Sequence, residues 1–288
     1  MRMRWGALGF ISPGALAVLI VLYVPFIYTI VLSFTEYDGL VAPKWVALQN
    51  FSKFLDDPAL STSIRNTVYW VIGSTVVPVG LGLIIALLTF GMKNGTLFRL
   101  PFVLPYALSG AGLGVIWGFI LQSGGALNDV LGVFHLPGAD LSVLQHQPYN
   151  TIAMIVAWTW QQSGVNMLFF LVGLQSIPAQ PMEAARLDGA TGWKLFRHVT
   201  WPLLAPLTTV VIGLSLVSSL KTFDIVWVTT QGGPGRSSET LAVTMYRDAF
   251  VSGQYGYGSA VALVLTLVTG SVTLVYLRQQ ATRRRDLT

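Results

Sequence analysis

No cysteine occurs among the 288 residues, so disulfides, thiol catalysis and thiolate metal ligation are excluded. Charge is scarce as well: a tenth of the residues are Asp, Glu, Lys or Arg, against about a quarter in a soluble domain. Of three histidines, His135 and His146 share a loop without clustered carboxylates at ligand spacing, which leaves no candidate metal site. No G-x-x-x-x-G-K-[ST] phosphate loop, H-E-x-x-H helix or nucleophile elbow is present. The chain therefore offers no catalytic residues and cannot hydrolyse ATP by itself. The net charge of +5 does not indicate nucleic acid, because the basic residues sit beside apolar runs, where they set topology.

What is present is hydrophobic length. Over half of the residues are apolar, in six runs, 6–32, 68–90, 101–121, 151–174, 207–228 and 259–277, each near the about 20 residues of a helical crossing. This predicts an all-α, polytopic membrane protein with six transmembrane helices, residues 1–288 forming a single transmembrane domain. The start, Met1-Arg2-Met3-Arg4 before an apolar run, has the form of a signal peptide. The run is too long and lacks a small-residue cleavage site, so a retained first span is expected.

Arg2, Arg4, Lys93, Arg99, Arg186, Lys194, Arg197, Arg278, Arg283, Arg284 and Arg285 fall on one side of this arrangement. The longer loops opposite carry Lys44, Lys53, Arg65, Arg236 and Arg247. The positive-inside rule places both termini, the 91–100 turn and the polar island at 178–206 in the cytoplasm. On the outer side, Asn50 is expected to cap a short helix that Asp57-Pro58 ends.

The island lies between spans four and five. Pro181 suits the first position of a helix, with Glu183 in its first turn, where a negative charge complements the dipole. Gly189 can supply the left-handed residue that ends it. Thr191 can cap a second helix running toward Val199, before Pro202 and Pro206 disrupt the backbone.

Polarity also enters two spans. Trp158, Trp160, Gln161, Gln162, Ser163 and Asn166 occupy the outer half of span four. Amides in hydrocarbon need partners or a wet cavity, and rings flanking amides suit a sugar, whose faces stack while its hydroxyls bond. In span five Ser215, Ser218, Ser219 and Thr222 share one helical face. Lys221 and Asp224 are three apart and close enough to pair. Phe223, Asp224 and Trp227 lead into the turn Gln231-Gly232-Gly233-Pro234-Gly235.

Glu183-Ala184-Ala185, Asp188-Gly189-Ala190 and Trp201-Pro202-Leu203 with Pro206 resemble the EAA loop of binding-protein-dependent ABC importer permeases. The resemblance implies that the loop holds a coupling helix that docks in a groove of a cytoplasmic ATPase. Glu183, Ala184, Ala185, Asp188, Gly189 and Ala190 would be its coupling residues. The stretch Phe223-Asp224-x-x-Trp227 with Gly232-Gly233-Pro234-Gly235, then Ser238-Glu239-Thr240-Leu241 and Tyr246-Arg247, is similar to the maltose-type carbohydrate subgroup. Tyr37-Asp38-Gly39 and Asn50-Phe51 fit the same subgroup, and the pattern is that of its first, larger-type permease.

This resemblance implies a permease subunit rather than an enzyme, importing an oligosaccharide or related glycoside by alternating access. Its implied partners are a second related permease, two ATP-binding subunits that hold ATP and Mg, an extracytoplasmic solute-binding protein and the lipid bilayer. No cofactor is expected in this chain, and its implied location is a bacterial or archaeal cytoplasmic membrane. The substrate path would comprise Trp160, Gln161, Gln162, Asn166, Ser215, Ser219, Thr222, Phe223, Asp224 and Trp227. The aromatic and asparagine set of a maltose pocket is not reproduced, so maltose itself is not implied. Two alternatives stay open: an importer of a glycerol phosphate-type solute with Lys221 as anion site, and an ion-coupled carrier with Lys221 and Asp224 as a relay.

Overall fold

Backbone polar groups find no partner in hydrocarbon, so an open chain crosses it as helix. The computed structural model describes residues 5–285. Arg2 and Arg4, part of the charge argument, lie outside the described residues, as do the side chains of Arg283, Arg284 and Arg285. In chain order, α1 (Trp5–Val18) continues through a π-turn at Leu19–Tyr23 into α2 (Val24–Ser33). A hairpin of β1 (Thr35–Glu36) and β2 (Lys44–Trp45) leads to α3 (Gln49–Asp56) and α4 (Leu60–Thr89). Then come α5 (Gly95–Val103), α6 (Gly110–Leu121), α7 (Ala126–Val133), α8 (Tyr149–Gln175) and α9 (Ala179–Leu187). A second π-turn, Phe196–Thr200, joins α10 (Gly192–Leu195) to α11 (Trp201–Leu220), followed by α12 (Asp224–Thr230), α13 (Leu241–Tyr246) and α14 (Tyr255–Arg285). The all-α class is as expected.

The helices do not by themselves reach six spans. Among the described residues four runs are long and apolar enough to cross a membrane: Ile11–Ser33, Leu60–Thr89, Gly192–Leu220 and Tyr255–Tyr276. A fifth exists only if the bent pair Gly95–Ala107 and Gly110–Leu121, which turns through 105°, counts as one. The straight span expected at 101–121 is therefore corrected to a broken one. Pro105 is the second residue of a 3-10 turn at Leu104–Ala107, Leu108 is extended, and Ser109 restarts the helix by accepting a bond from Gly112 N–H at 3.0 Å. The 27 residues of α8 are long enough, but its amides and hydroxyls make it more polar than the other runs.

The fifth run is also displaced from 207–228. It starts at Gly192, continues through both prolines and stops at Leu220. Trp201 N–H reaches back five residues to Phe196 O, and this wider turn absorbs the backbone that Pro202 cannot donate through. The disruption expected at Pro202 and Pro206 does not occur.

The described chain falls into two units, one made by residues up to 60 with 241–268, the other by 61–240 with the described residues from 269 on. In the first, Phe54 of α3, Leu241 of α13, and Tyr257 and Val261 of α14 form a buried cluster. Asn50 is the second residue of α3 rather than its cap; its amide donates to Ser33 O at 3.0 Å and Thr35 O at 2.8 Å, tying helix to hairpin. Asp57 ends α3 as expected. Lys53 donates to Gln254 Oε1 at 2.5 Å and lies 4.7 Å from the Tyr257 ring centre.

In the second unit, Val79 and Ala86 of α4 pack with Met167, Phe170, Leu171 and Leu174 of α8 and Leu204 and Val211 of α11. Between helices in lipid no hydrophobic gain is available, so closeness of fit holds them. A Cβ on Gly82 would lie 2.6 Å from Asn166 Cβ and 2.7 Å from Met167 N, so only a hydrogen fits there.

Candidate functional site

Two places in the second unit gather the residues singled out above. At the first, α9 begins at Ala179 after Pro178, so Pro181 is its third residue and Glu183 lies beyond the first turn. Proline is tolerated there because the first four N–H groups of a helix lack intrahelical partners. Ala190 N–H donates to Ala185 O at 2.8 Å and Gly189 N–H to Arg186 O at 3.0 Å. With Gly189 at φ +79°, this is a Schellman end, as the glycine predicted. Thr191 sits at the N-cap position of α10, but its hydroxyl makes no capping bond.

Glu183, Ala184, Asp188 and Gly189 are exposed, and Ala185 and Ala190 half-buried. Two residues that the sequence reading passed over stand out here. Leu187 is 90% exposed and Trp193 70% exposed, apolar side chains on an otherwise polar knob. Their apolarity inside a polar island was the available signal. Trp193, Phe196 and Trp201 form a train of rings at 5.2 and 6.0 Å. Thr200 donates to the Met182 sulfur at 3.7 Å, joining α9 to the long α10–α11 run.

The second place is the break in the bent pair. α6 and α12 run side by side: a Cβ on Gly110 would meet the Asp224 carboxylate at 2.8 Å, and one on Gly114 would meet Val228 at 2.9 Å. Thr229 Oγ1 donates to Gly114 O at 3.2 Å. From α8, Gln161 Nε2 donates to Leu108 O at 2.7 Å, satisfying a carbonyl that the break leaves unpaired. The Trp160 ring meets Trp117 edge-on at 6.0 Å, and Phe223 stacks on Trp227 at 5.8 Å. Trp117, unremarked in the sequence, enters because the bend turns α6 toward α8.

The remaining residues are arranged otherwise. Lys221 and Asp224 flank a helix break instead of sharing one helix face, and among the described residues no ion pair joins them. Both are exposed. The pairing that their spacing allowed is not made: Lys221 ends α11 and Asp224 begins α12. The hydroxyls of Ser219 and Thr222 bond back to Leu216 O at 2.7 Å and Ser218 O at 3.3 Å. Ser215 and Gln162 are half-buried. Asn166 is 3% exposed and pressed against Gly82 of α4, its Nδ2 without a partner. It belongs to the α4–α8 seam, apart from the break.

Comparison with known proteins shows the family. Residues 79–285 match the family described as binding-protein-dependent transport system inner membrane component. A probable ABC transporter permease protein of Pyrococcus horikoshii is 34% identical over 93% of this chain and 93% of its own. A probable permease protein for transport of starch degradation products, from Thermoanaerobacterium thermosulfurigenes, is 32% identical over 94% and 93%. In fold, the chain superposes on a bacterial ABC transporter involved in importing the acidic polysaccharide alginate, with a TM-score of 0.85 at 18% identity, covering 96% of each chain. These matches identify the chain as a transport subunit of the permease type, and it belongs to the family of inner membrane components of binding-protein-dependent transport systems.

Proposed function

We propose that this chain is one permease subunit of an ATP-driven sugar importer, coupled through the α9 knob to a separate ATPase. The observation that carries the coupling is the exposure of Leu187, at the end of α9, and of Trp193, in α10, on either side of the hydrogen-bonded turn at Gly189. Apolar anchors standing out from a polar rim are the usual core of an interface. The occupant would be a groove of an ATP-binding subunit that holds ATP and Mg, on the cytoplasmic face assigned by the basic residues. The sugar assignment draws on the starch-product relative and on aromatic rings set beside amides at the break.

A push on α9 reaches Thr200 through Met182, then travels along the helical run to Leu220. There the break at 221–223 lets α12 move as a separate piece, with α6 packed along it. Trp160, Gln161, Phe223, Asp224 and Trp227 would line the path that this movement opens, in alternation with a second, related permease and an external solute-binding protein. With Lys221 and Asp224 unpaired at a helix break, an ion relay along one helix face loses its basis.

The test is ATP hydrolysis by the reconstituted complex with solute-loaded binding protein, comparing wild type with Glu183→Ala. Stimulation in the wild type and its loss in the variant, with assembly retained, is the expected result. Equal stimulation of both overturns the role of Glu183. Uptake that follows an ion gradient, with no ATPase copurifying, overturns the importer reading.

A further inference from the structure

Where α6 and α12 end, the second unit carries an open cleft of about 620 Å³, within the roughly 300–1,000 Å³ of small-molecule sites. Gly118 and Phe119 of α6 form one wall, Thr229 and Gln231 the other, and Gln122 and Gln145 close it. None of its lining residues is Asp, Glu, Lys, Arg or His. The cleft also lies at helix C-termini: α6 stops at Leu121 with Gln122 beyond it, and α12 stops at Thr230 with Gln231 beyond it. The last carbonyls of a helix lack intrahelical partners and carry the negative end of its dipole. Such a site accepts hydroxyl donors and repels an anion, for which it holds no compensating cation.

The wall is held in shape before any ligand arrives. Gln231 adopts φ +50° and Arg236 φ +66° in a turn that also contains Gly232 at φ +81°. Thr230 and Ser238 share a hydrogen bond at 2.8 Å, and Ser238 Oγ donates to Gly233 O at 2.9 Å. Asn66 Nδ2 donates to Ser237 O at 2.7 Å and Glu239 O at 2.9 Å, and Asn150 Nδ2 to Ser237 Oγ at 3.0 Å. A fixed wall lowers the ordering cost of binding. The exposed Phe119 ring supplies an apolar face of the kind on which sugar C–H groups stack.

We propose that this cleft is a saccharide subsite for an uncharged oligosaccharide, and that it selects against acidic saccharides and phosphorylated polyols. The inference rests on the sugar-importer reading and narrows it. The probes are maltotriose and trigalacturonate, titrated by equilibrium binding onto the complete permease complex in nanodiscs. The variant is Gly118→Leu: Gly118 lines the cleft, and a Cβ there meets nothing within 4 Å, so the backbone has room for a side chain at this wall. Gly80→Leu, on α4 and equally unobstructed, is the matched control.

Maltotriose is expected to bind at least about tenfold more tightly than trigalacturonate, and Gly118→Leu to weaken it by about tenfold or more, while Gly80→Leu leaves it unchanged. Equal binding of the two probes, or unaltered binding in Gly118→Leu, overturns the subsite. If Gly118→Leu does not assemble, Gln145→Leu takes its place: a several-fold loss supports the proposal and unchanged affinity overturns it. Import of maltotriose by wild-type complex that is untouched by either variant removes the subsite alone. Absence of ATP-driven uptake across a screen of saccharides removes the sugar reading with it.

Discussion

Gly164 of α8 is the position where one methyl group should do most damage. A Cβ built there falls 1.8 Å from Phe102 O and 2.6 Å from its carbonyl carbon, where real Cβ atoms stay beyond 3.0 Å. The obstacle is backbone, so α8 and the end of α5 would have to part by the 1.2 Å difference. Overpacking of this kind costs about 1–3 kcal/mol. Gln161 lies three residues earlier on the same helix and holds Leu108 O at 2.7 Å. If the displacement carries through, that bond lengthens to about 3.9 Å and ceases to be one. Losing it adds roughly 0.5–1.5 kcal/mol. Gly164→Ala should therefore destabilise the protein by about 2–4 kcal/mol in all and slow uptake, because the break itself is loosened. The assay pairs thermal unfolding in nanodiscs with uptake by the reconstituted complex. Gly80→Ala, with no neighbour within 4 Å, is the control and should be neutral or slightly stabilising. If Gly164→Ala unfolds and transports like Gly80→Ala, the close approach of α5 to α8 is not as described and the reasoning fails.

Two further outcomes follow from polar contacts. Asn66 is fully buried and donates to two backbone carbonyls of the turn after α12. Asn66→Ala leaves Glu239 O without that partner, at about 1–3 kcal/mol, while Ser237 O keeps Gln147 Nε2 at 3.0 Å; it should raise amide hydrogen exchange across residues 231–240, and unchanged exchange would show that the turn does not depend on this clamp. Asp38 accepts from Leu40 N–H at 2.9 Å and Val41 N–H at 3.2 Å, and the Leu40 bond first, then Val41, holds its carboxyl below its ordinary value of 3.8. A depressed carboxyl contributes above its unfolded pKa and loses the contribution as pH falls through the folded one. The Leu40 and Val41 amides should thus lose protection only below about pH 3.8, after correction for intrinsic exchange; loss already at neutral pH would exclude the carboxylate as their anchor.

Sequence by itself determined the features that are local in origin. Runs of apolar residues must be helix in lipid whatever surrounds them. A left-handed end falls to Gly189 because a side chain at φ +79° is strained. The amide band of α8 was legible as composition. Tertiary structure decided the rest. Pro202 and Pro206 read as breakers, yet a π-turn absorbs the first and the helix continues through both, since packing outweighs a local preference. The breaks at Leu108 and at 221–223 have weak local signals, and they are held by partners distant in sequence: Gln161 on Leu108 O, and Thr240 Oγ1 on Thr222 O at 3.4 Å. Helical periodicity tells which side chains share a face, but not what that face meets. Gln161 and Asn166 are both amides of one polar band. One was turned to the break by α6, and the other was buried against Gly82 by α4.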